Sequence, residues 1–279
     1  MTYKDMMVLL DDTRESDQRL QTALELAERH AAHLVGLAVS EPFYVPTLAQ
    51  VEIAALEQRQ RDIAADRDRR LQERFEARVR ASSVSGEWRS PEEEPYRDLL
   101  DVLAEQSRYC DLLILGQTDP DATQGLASDF PGQVALMAGR PVLALPYAWR
   151  PEAVGRQVLV AWNGGREASR AVHDAMPLLQ QADSVRVLTL TGGRGRGAGS
   201  QPEVDLATHL ARHGVKVEAA TLSTADLDVS DALLSTAADH GSDLIVMGAY
   251  GRSRMRELIL GGTTLNMLRH MTVPLLIAH

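Results

Sequence analysis

Apolar residues in this chain fall in short unbroken runs, separated by longer stretches with helical spacing. Met6-Met7-Val8-Leu9-Leu10 runs straight into the polar pair Asp11-Asp12. Runs of this kind read as strands buried on both faces, as in parallel sheets covered by helices. Strands are predicted at 6–10, 34–39, 84–89, 112–115 and 142–145. Between them, Leu20, Ala23, Leu24, Leu26 and Ala27 mark a helix over 14–32. A long, charged, amphipathic helix is predicted over 47–80, with its Leu and Ala positions on the sheet and the rest solvated. Leu99, Leu100, Val102 and Leu103 mark another over 95–109, where Pro95 suits the first turn. A short helix fits 131–138. The remainder of the chain follows suit, with strands at 158–162, 185–190, 215–221, 244–247 and 275–278.

The second set of runs repeats the first. Val158-Leu159-Val160-Ala161-Trp162-Asn163 corresponds to Met6 through Asp11. Cys110-Asp111-Leu112-Leu113-Ile114-Leu115-Gly116 matches Ser242-Asp243-Leu244-Ile245-Val246-Met247-Gly248, and the strands after Pro141 and Pro274 also match. The order is kept, so a domain has been duplicated. The junction falls near Pro146 and Pro151, giving domains at 1–148 and 154–279. With right-handed crossovers, the fold class is α/β: two tandem five-stranded doubly wound parallel sheets flanked by helices.

Composition narrows the function. The chain has 279 residues, 44% of them apolar, enough for two cores; at 4% aromatic, those cores rest on aliphatic side chains. A formal charge of −10 argues against nucleic acid as a partner. Lys4 and Lys216 are the only lysines, so no Walker-type Gly-Lys-Ser/Thr exists. The single Cys110 rules out an internal disulfide and fits a reducing cytosol, where it reads as a small buried residue. No signal-type stretch opens the chain and no run approaches membrane-spanning length, so a soluble cytoplasmic protein is expected.

The segment with chemistry follows the fourth strand of the second half, at the strand end where such sheets bind ligands. It begins Gly248-Ala249-Tyr250-Gly251-Arg252 and, with nine residues between Gly251 and Gly261, reads Gly261-Gly262-Thr263-Thr264 at a helix start. A helix N-terminus offers free N–H groups and partial positive charge to an anion. Glycine lets the backbone come close to phosphate oxygens. Thr263 and Thr264 add hydroxyl donors, and Arg252 and Arg254 add charge. A mobile turn explains Gly248 alone; the whole segment points to the phosphates of a nucleotide.

At these residues the chain resembles the universal stress protein family, whose nucleotide-binding members carry glycine, two residues, glycine, nine residues, then glycine followed by Ser or Thr. The resemblance spans essentially the full chain, in tandem form, and implies an adenine nucleotide alpha hydrolase-like fold. It further implies ATP, with or without magnesium. Asn163 takes the place of the family's adenine-side Asp, beside Ala161. Leu190 matches a backbone contact to adenine. Met247, Gly248, Tyr250, Gly251 and Arg252 match the ribose and phosphate loop, and Gly261, Gly262, Thr263 and Thr264 match the phosphate cradle. Asn163 for Asp bears on base preference, and Gly262 stands where a hydroxyl residue is usual. Domains of the family pair through their last strands, so the two halves are expected to form a pseudo-dimer, and two chains a dimer.

The first half departs further. Asp11 is present, but Gly116-Gln117-Thr118-Asp119 lacks the second glycine. Its last helix opens Ser128-Asp129-Phe130-Pro131, where Asp129 would oppose phosphate oxygens and Pro131 has no N–H. That site is expected to be degenerate. His30 and His33 read as helix-end histidines without a third metal ligand, and Asp111 and Asp243 as turn residues opposite the ligand edge. Asp11-Asp12 fits a solvated turn as well as a ligand contact, and the glycine-rich stretch 192–199 fits a loop or a lid. The leading function is a nucleotide-responsive stress or regulatory protein whose protein partner the sequence does not name. A slow ATP hydrolase or phosphotransferase is the second reading, and a nucleotide-free scaffold the third.

Overall fold

The structure, a computed structural model, describes residues 2–39, 52–91, 98–118, 127–150, 153–191, 202–223, 228–251 and 262–279. The first half runs β1 (Asp5–Leu9), α1 (Glu15–His30), β2 (His33–Leu37), α2 (Glu52–Arg80), β3 (Gly86–Arg89), α3 (Leu99–Gln106), β4 (Leu112–Gly116), α4 (Phe130–Ala138) and β5 (Val142–Leu145). The second runs β6 (Gln157–Ala161), α5 (Arg166–Leu179), β7 (Ser184–Thr191), α6 (Pro202–Arg212), β8 (Val217–Ser223), α7 (Val229–Asp239), β9 (Leu244–Gly248), α8 (Gly262–His270) and β10 (Leu275–Ala278). Every predicted strand is present, with ends shifted by a residue or two. Pro95 and residues 47–51 of the predicted helices, and the stretch 192–199, lie outside the described residues.

The two expected sheets are one. Strand order is β3-β2-β1-β4-β5-β10-β9-β6-β7-β8. All neighbours are parallel except β5 and β10, which pair antiparallel with Leu276 opposite Leu143. This seam joins the halves as a pseudo-dimer and removes two sheet edges that would otherwise be unpaired. Side chains alternate along each strand, so Met6 and Val8 feed one apolar layer and Met7 the other. The first layer lies under α1, α2, α5 and α6, the second under α3, α4, α7 and α8, and both run across the seam.

Other contacts cross between the halves. Gln117 Nε2 donates to the Leu268 and Arg269 carbonyls at 2.8 and 3.0 Å, satisfying the C-terminal end of α8. Tyr3 Oη donates to the Asp174 carbonyl at 2.7 Å, and the linker is tied to the first half by Trp149 Nε1, which donates to Thr22 Oγ1 at 3.3 Å. Asp111 and Asp243 do equivalent work at the opposite end of the strands. Asp111 accepts the N–H groups of Lys4 and Asp5, and Asp243 those of Gly155, Arg156 and Gln157, so each clamps the start of its half's first strand.

α2 sinks Leu71 and Phe75 into the core, with Phe75 against Gly36, and turns arginines to the β1–α1 turn and the start of α1: Arg67 pairs with Asp12 at 3.3 Å and Arg74 with Asp17 at 3.2 Å. Among the described residues, no helix is long and apolar enough to cross a membrane. Cys110 is buried, and burial pushes its thiol up to about 12. His30 and His33 face different partners. His33 Nδ1 shares a hydrogen bond with Ser85 Oγ at 3.1 Å, while His30 is buried edge-on to Tyr3 with ring centroids 5.1 Å apart.

Burial, and then the neighbouring charge of Arg29, bring the His30 pKa down from 6.5 to about 4. The folded state therefore favours the neutral ring. That preference is fully satisfied above pH 6.5 and is lost progressively as pH falls toward 4, because the unfolded chain takes up the proton first. Urea midpoints should fall between about pH 7 and about pH 5, and His30→Leu should flatten the fall. An equal pH dependence in that variant would assign it to other groups.

A cleft at the carboxyl ends of the second half's strands

In the second half β6 and β9 are neighbours, and the crossover from β6 runs to β7 while that from β9 runs the opposite way, to β10. Such a switch point opens a crevice beyond the strand ends. The crevice here has a volume of about 340 Å³ and opens to solvent, within the size range of small-molecule sites. Ala161, Leu188, Leu190, Val229, Leu233 and Met247 give it an apolar wall. Trp162, Asn163, Gly248, Tyr250, Gly251, Thr263 and Thr264 complete the lining.

The predicted residues within the described chain thus come together, with one exception. Gly262 opens α8, the helix that supplies Thr263 and Thr264, and does not itself line the cleft. Arg252 and Gly261 lie outside the described residues. Trp162, Leu188, Val229 and Leu233 were not anticipated. Their signal was present: Leu188 shares a strand face with Leu190, and Val229 and Leu233 are spaced for one helix face.

The polar groups have defined roles. Asn163 is exposed, and its Oδ1 accepts the Gly165 N–H at 2.8 Å. Only the oxygen can accept, so the amide NH₂ is left to donate. Thr264 is buried; its Oγ1 accepts the Tyr250 N–H at 3.4 Å, leaving its own proton to donate. The Ala249 N–H donates to the Ala278 carbonyl at 2.8 Å, and His279 Nδ1 donates to the Ala249 carbonyl at 3.0 Å. Tyr250 takes a left-handed backbone, φ 51°.

The two glycines of the turn differ. A Cβ on Gly248 would lie 2.5 Å from the Glu167 carbonyl carbon and also strike the Ala168 nitrogen. Gly248 is glycine because β9 meets the first turn of α5 there. Among the described residues, a Cβ on Gly251 would find only Glu167 Oε2, at 3.9 Å, an ordinary contact distance. Glu167 was missed from sequence. It is buried in the first turn of α5, with Oε1 accepting from Arg166 Nε at 2.8 Å. Burial raises its pKa, but its own N–H, the Arg166 bond and charge, and His279 outweigh burial and hold it below the usual carboxylate range. Among the described residues, no group of three or more His, Cys, Asp or Glu could hold a metal ion.

The first half's cavity, about 90 Å³, is built otherwise. It lies among the β1–α1 turn, the end of β4, Phe130 and the linker residues Pro146, Tyr147 and Trp149. Asp11 does not face a solvated turn. Its Oδ1 accepts from the Thr13 N–H at 2.9 Å, and its Oδ2 pairs with Arg19 Nη2 at 2.7 Å. Burial raises the Asp11 pKa, but Arg19 and Thr13 outweigh it and bring it down. The Arg19 guanidinium is buried, donates from Nε to the Leu9 carbonyl at 2.6 Å and fills the space beside Gly116. Asp129 does not line this cavity; it is buried against Tyr250.

The model of the universal stress protein family matches residues 2–146 and again residues 155–279. A curated universal stress protein of Synechocystis sp. is 25% identical over 181 residues, covering 64% of this chain; the chain spans 61% of that relative's length. Among solved structures, a universal stress protein from Archaeoglobus fulgidus is 16% identical with a TM-score of 0.71, covering 98% of this chain and 95% of its own. A functionally unknown protein from Pseudomonas aeruginosa is 18% identical with a TM-score of 0.57, covering 99% and 92%. At these identities the solved structures show the fold.

The contrast between the two glycines is measurable. Gly248→Ala should destabilise the protein by about 1–3 kcal/mol in urea denaturation, because the atoms it strikes are backbone. Gly251→Ala should change stability by less than about 0.5 kcal/mol. Equal losses would mean that Gly251 is also a packing residue.

Proposed function

The chain belongs to the universal stress protein family, and we propose that it binds one adenine nucleotide, ATP by preference, in the cleft of its second half. The supporting observation is the two-ended character of that cleft. Ala161, Leu188, Leu190, Val229, Leu233 and Met247 offer a flat base an apolar wall. Gly251, Thr263 and Thr264 offer phosphates an open backbone and hydroxyl donors beside the start of α8. The spacing that places Arg252 and Gly261 in the same segment adds a cation and another close approach. Magnesium would arrive on the nucleotide's own phosphates.

In this reading the first domain, 1–148, is a degenerate partner and the second, 154–279, carries the ligand. The reason differs from that expected of Asp129. An internal ion pair, Arg19 with Asp11, stands at the end of β4 where a ligand loop would have to lie. Occupancy of the second half then acts as a regulatory signal. A hydrolase would need a general base in the cleft. Among the described lining residues the polar side chains are those of Asn163, Tyr250, Thr263, Thr264 and the Trp162 indole, and none is a base at neutral pH.

Calorimetric titration of ATP, ADP, AMP and GTP into ligand-free protein tests the assignment. Saturable ATP binding that is lost in Gly251→Asp, with an unchanged circular dichroism spectrum, is the expected result; the substitution puts a carboxylate where phosphate would lie. An equally tight Gly251→Asp variant would remove the loop from the site. Asn163→Asp should alter the ATP-to-GTP preference more than it alters binding of inorganic pyrophosphate, because a donor becomes a charged acceptor. An unchanged base preference would place the base elsewhere.

A further inference from the structure

The turn between Gly248 and Gly251 is not held by the second half alone. Tyr250 sits inside it with φ 51°, a region disfavoured for any residue with a Cβ. The Tyr250 side chain is buried and reaches across the seam, where its hydroxyl donates to Asp129 Oδ2 at 3.2 Å. Asp129 stands at the N-terminus of α4, in the first half, and is itself buried; its Oδ1 accepts from Gln133 Nε2 at 2.9 Å. Gly132, in the first turn of α4, makes room. A Cβ there would lie 3.1 Å from Tyr250 Cζ and collide with the hydroxyl. Burial first, then the charge and hydrogen bond of Asp129, push the Tyr250 pKa up, so the phenol stays a donor. On the main-chain side, Thr264 takes the Tyr250 N–H and Ala278 takes that of Ala249.

We propose that Asp129 is a positioning residue for the ligand turn of the other half: by anchoring the Tyr250 ring it keeps residues 248–251 in the shape that lines the cleft. The proposal rests on the nucleotide reading above. It gives the degenerate half a function, since its α4 supplies both the acceptor and the space that the turn requires. Coupling is reciprocal. A nucleotide that needs the left-handed Tyr250 strengthens the bond across the seam, so occupancy is felt in the first half.

Three variants test this. Asp129→Leu removes the acceptor and Tyr250→Phe removes the donor. Asp129→Asn keeps an acceptor oxygen, and the Gln133 amide can turn to meet the new N–H. Affinity for ATP should fall roughly tenfold in Asp129→Leu and in Tyr250→Phe, as expected for losing a buried hydrogen bond to a charged group. It should fall no further in the double variant, and Asp129→Asn should bind as the parent does. In ligand-free protein, amide hydrogen exchange at Tyr250 and Gly251 should quicken in the same two variants and not in Asp129→Asn. Should Asp129→Leu fail to fold, Tyr250→Phe gives the same readouts. Unchanged exchange at the turn overturns the proposal, as do additive affinity losses in the double variant. If the parent itself takes no ATP, the nucleotide reading fails, and the exchange rates still decide the role of Asp129.

Discussion

The antiparallel pairing of β5 with β10 is the constraint on which the rest of the molecule depends. Each half, taken alone, would end its sheet on an apolar strand with unpaired backbone groups. Pairing those ends satisfies the groups, carries both apolar layers across the seam and fixes the halves in a single register. Everything that crosses between the halves follows from that register. Gln117 can meet the last carbonyls of α8, and Tyr250 can meet Asp129, only because the ends of β4 and β9 lie on opposite sides of one joined pair of strands.

Duplication gave two copies of one topology, and a few side chains made them unlike. Eight residues after Asp11 stands Arg19; eight residues after Asn163 stands Ala171, fully buried in the core. The arginine folds back onto Asp11 and Gly116, whereas Ala171 forms no such pair and Gly248 meets the first turn of α5 instead. Gln117 and Thr118 stand where the second half has Ala249 and Tyr250. In the first half Gln117 turns that strand end to the last carbonyls of α8, across the seam. The second half turns Tyr250 across the seam from the position that matches Thr118 and has Gly251 as the next residue.

The sequence made the strands and the repeat legible because parallel strands buried on both faces are written as unbroken apolar runs. It also made the polar end of the cleft legible, through glycines and hydroxyls at fixed spacing. The apolar wall was less visible, since Leu188, Val229 and Leu233 differ in type from no other core residue. Gly248 lines the cleft and carries a second constraint that the motif does not show: a Cβ there would strike Glu167 and Ala168. Arg19 left a trace as a charged residue between Ser16 and Leu20 on the buried side of α1. The partner of Asp129 could not be found by any local pattern, because Tyr250 is 121 residues away and reaches it through the seam.

The central claim is that two copies of one fold carry one nucleotide site, and stoichiometry on the intact chain tests it most directly. Native mass spectrometry during titration with ATP should show a single added nucleotide per chain at saturation, and none in Gly251→Asp. A second nucleotide per chain in the parent, bound with similar affinity, would show that the Arg19–Asp11 pair does not close the first half, and would contradict the account.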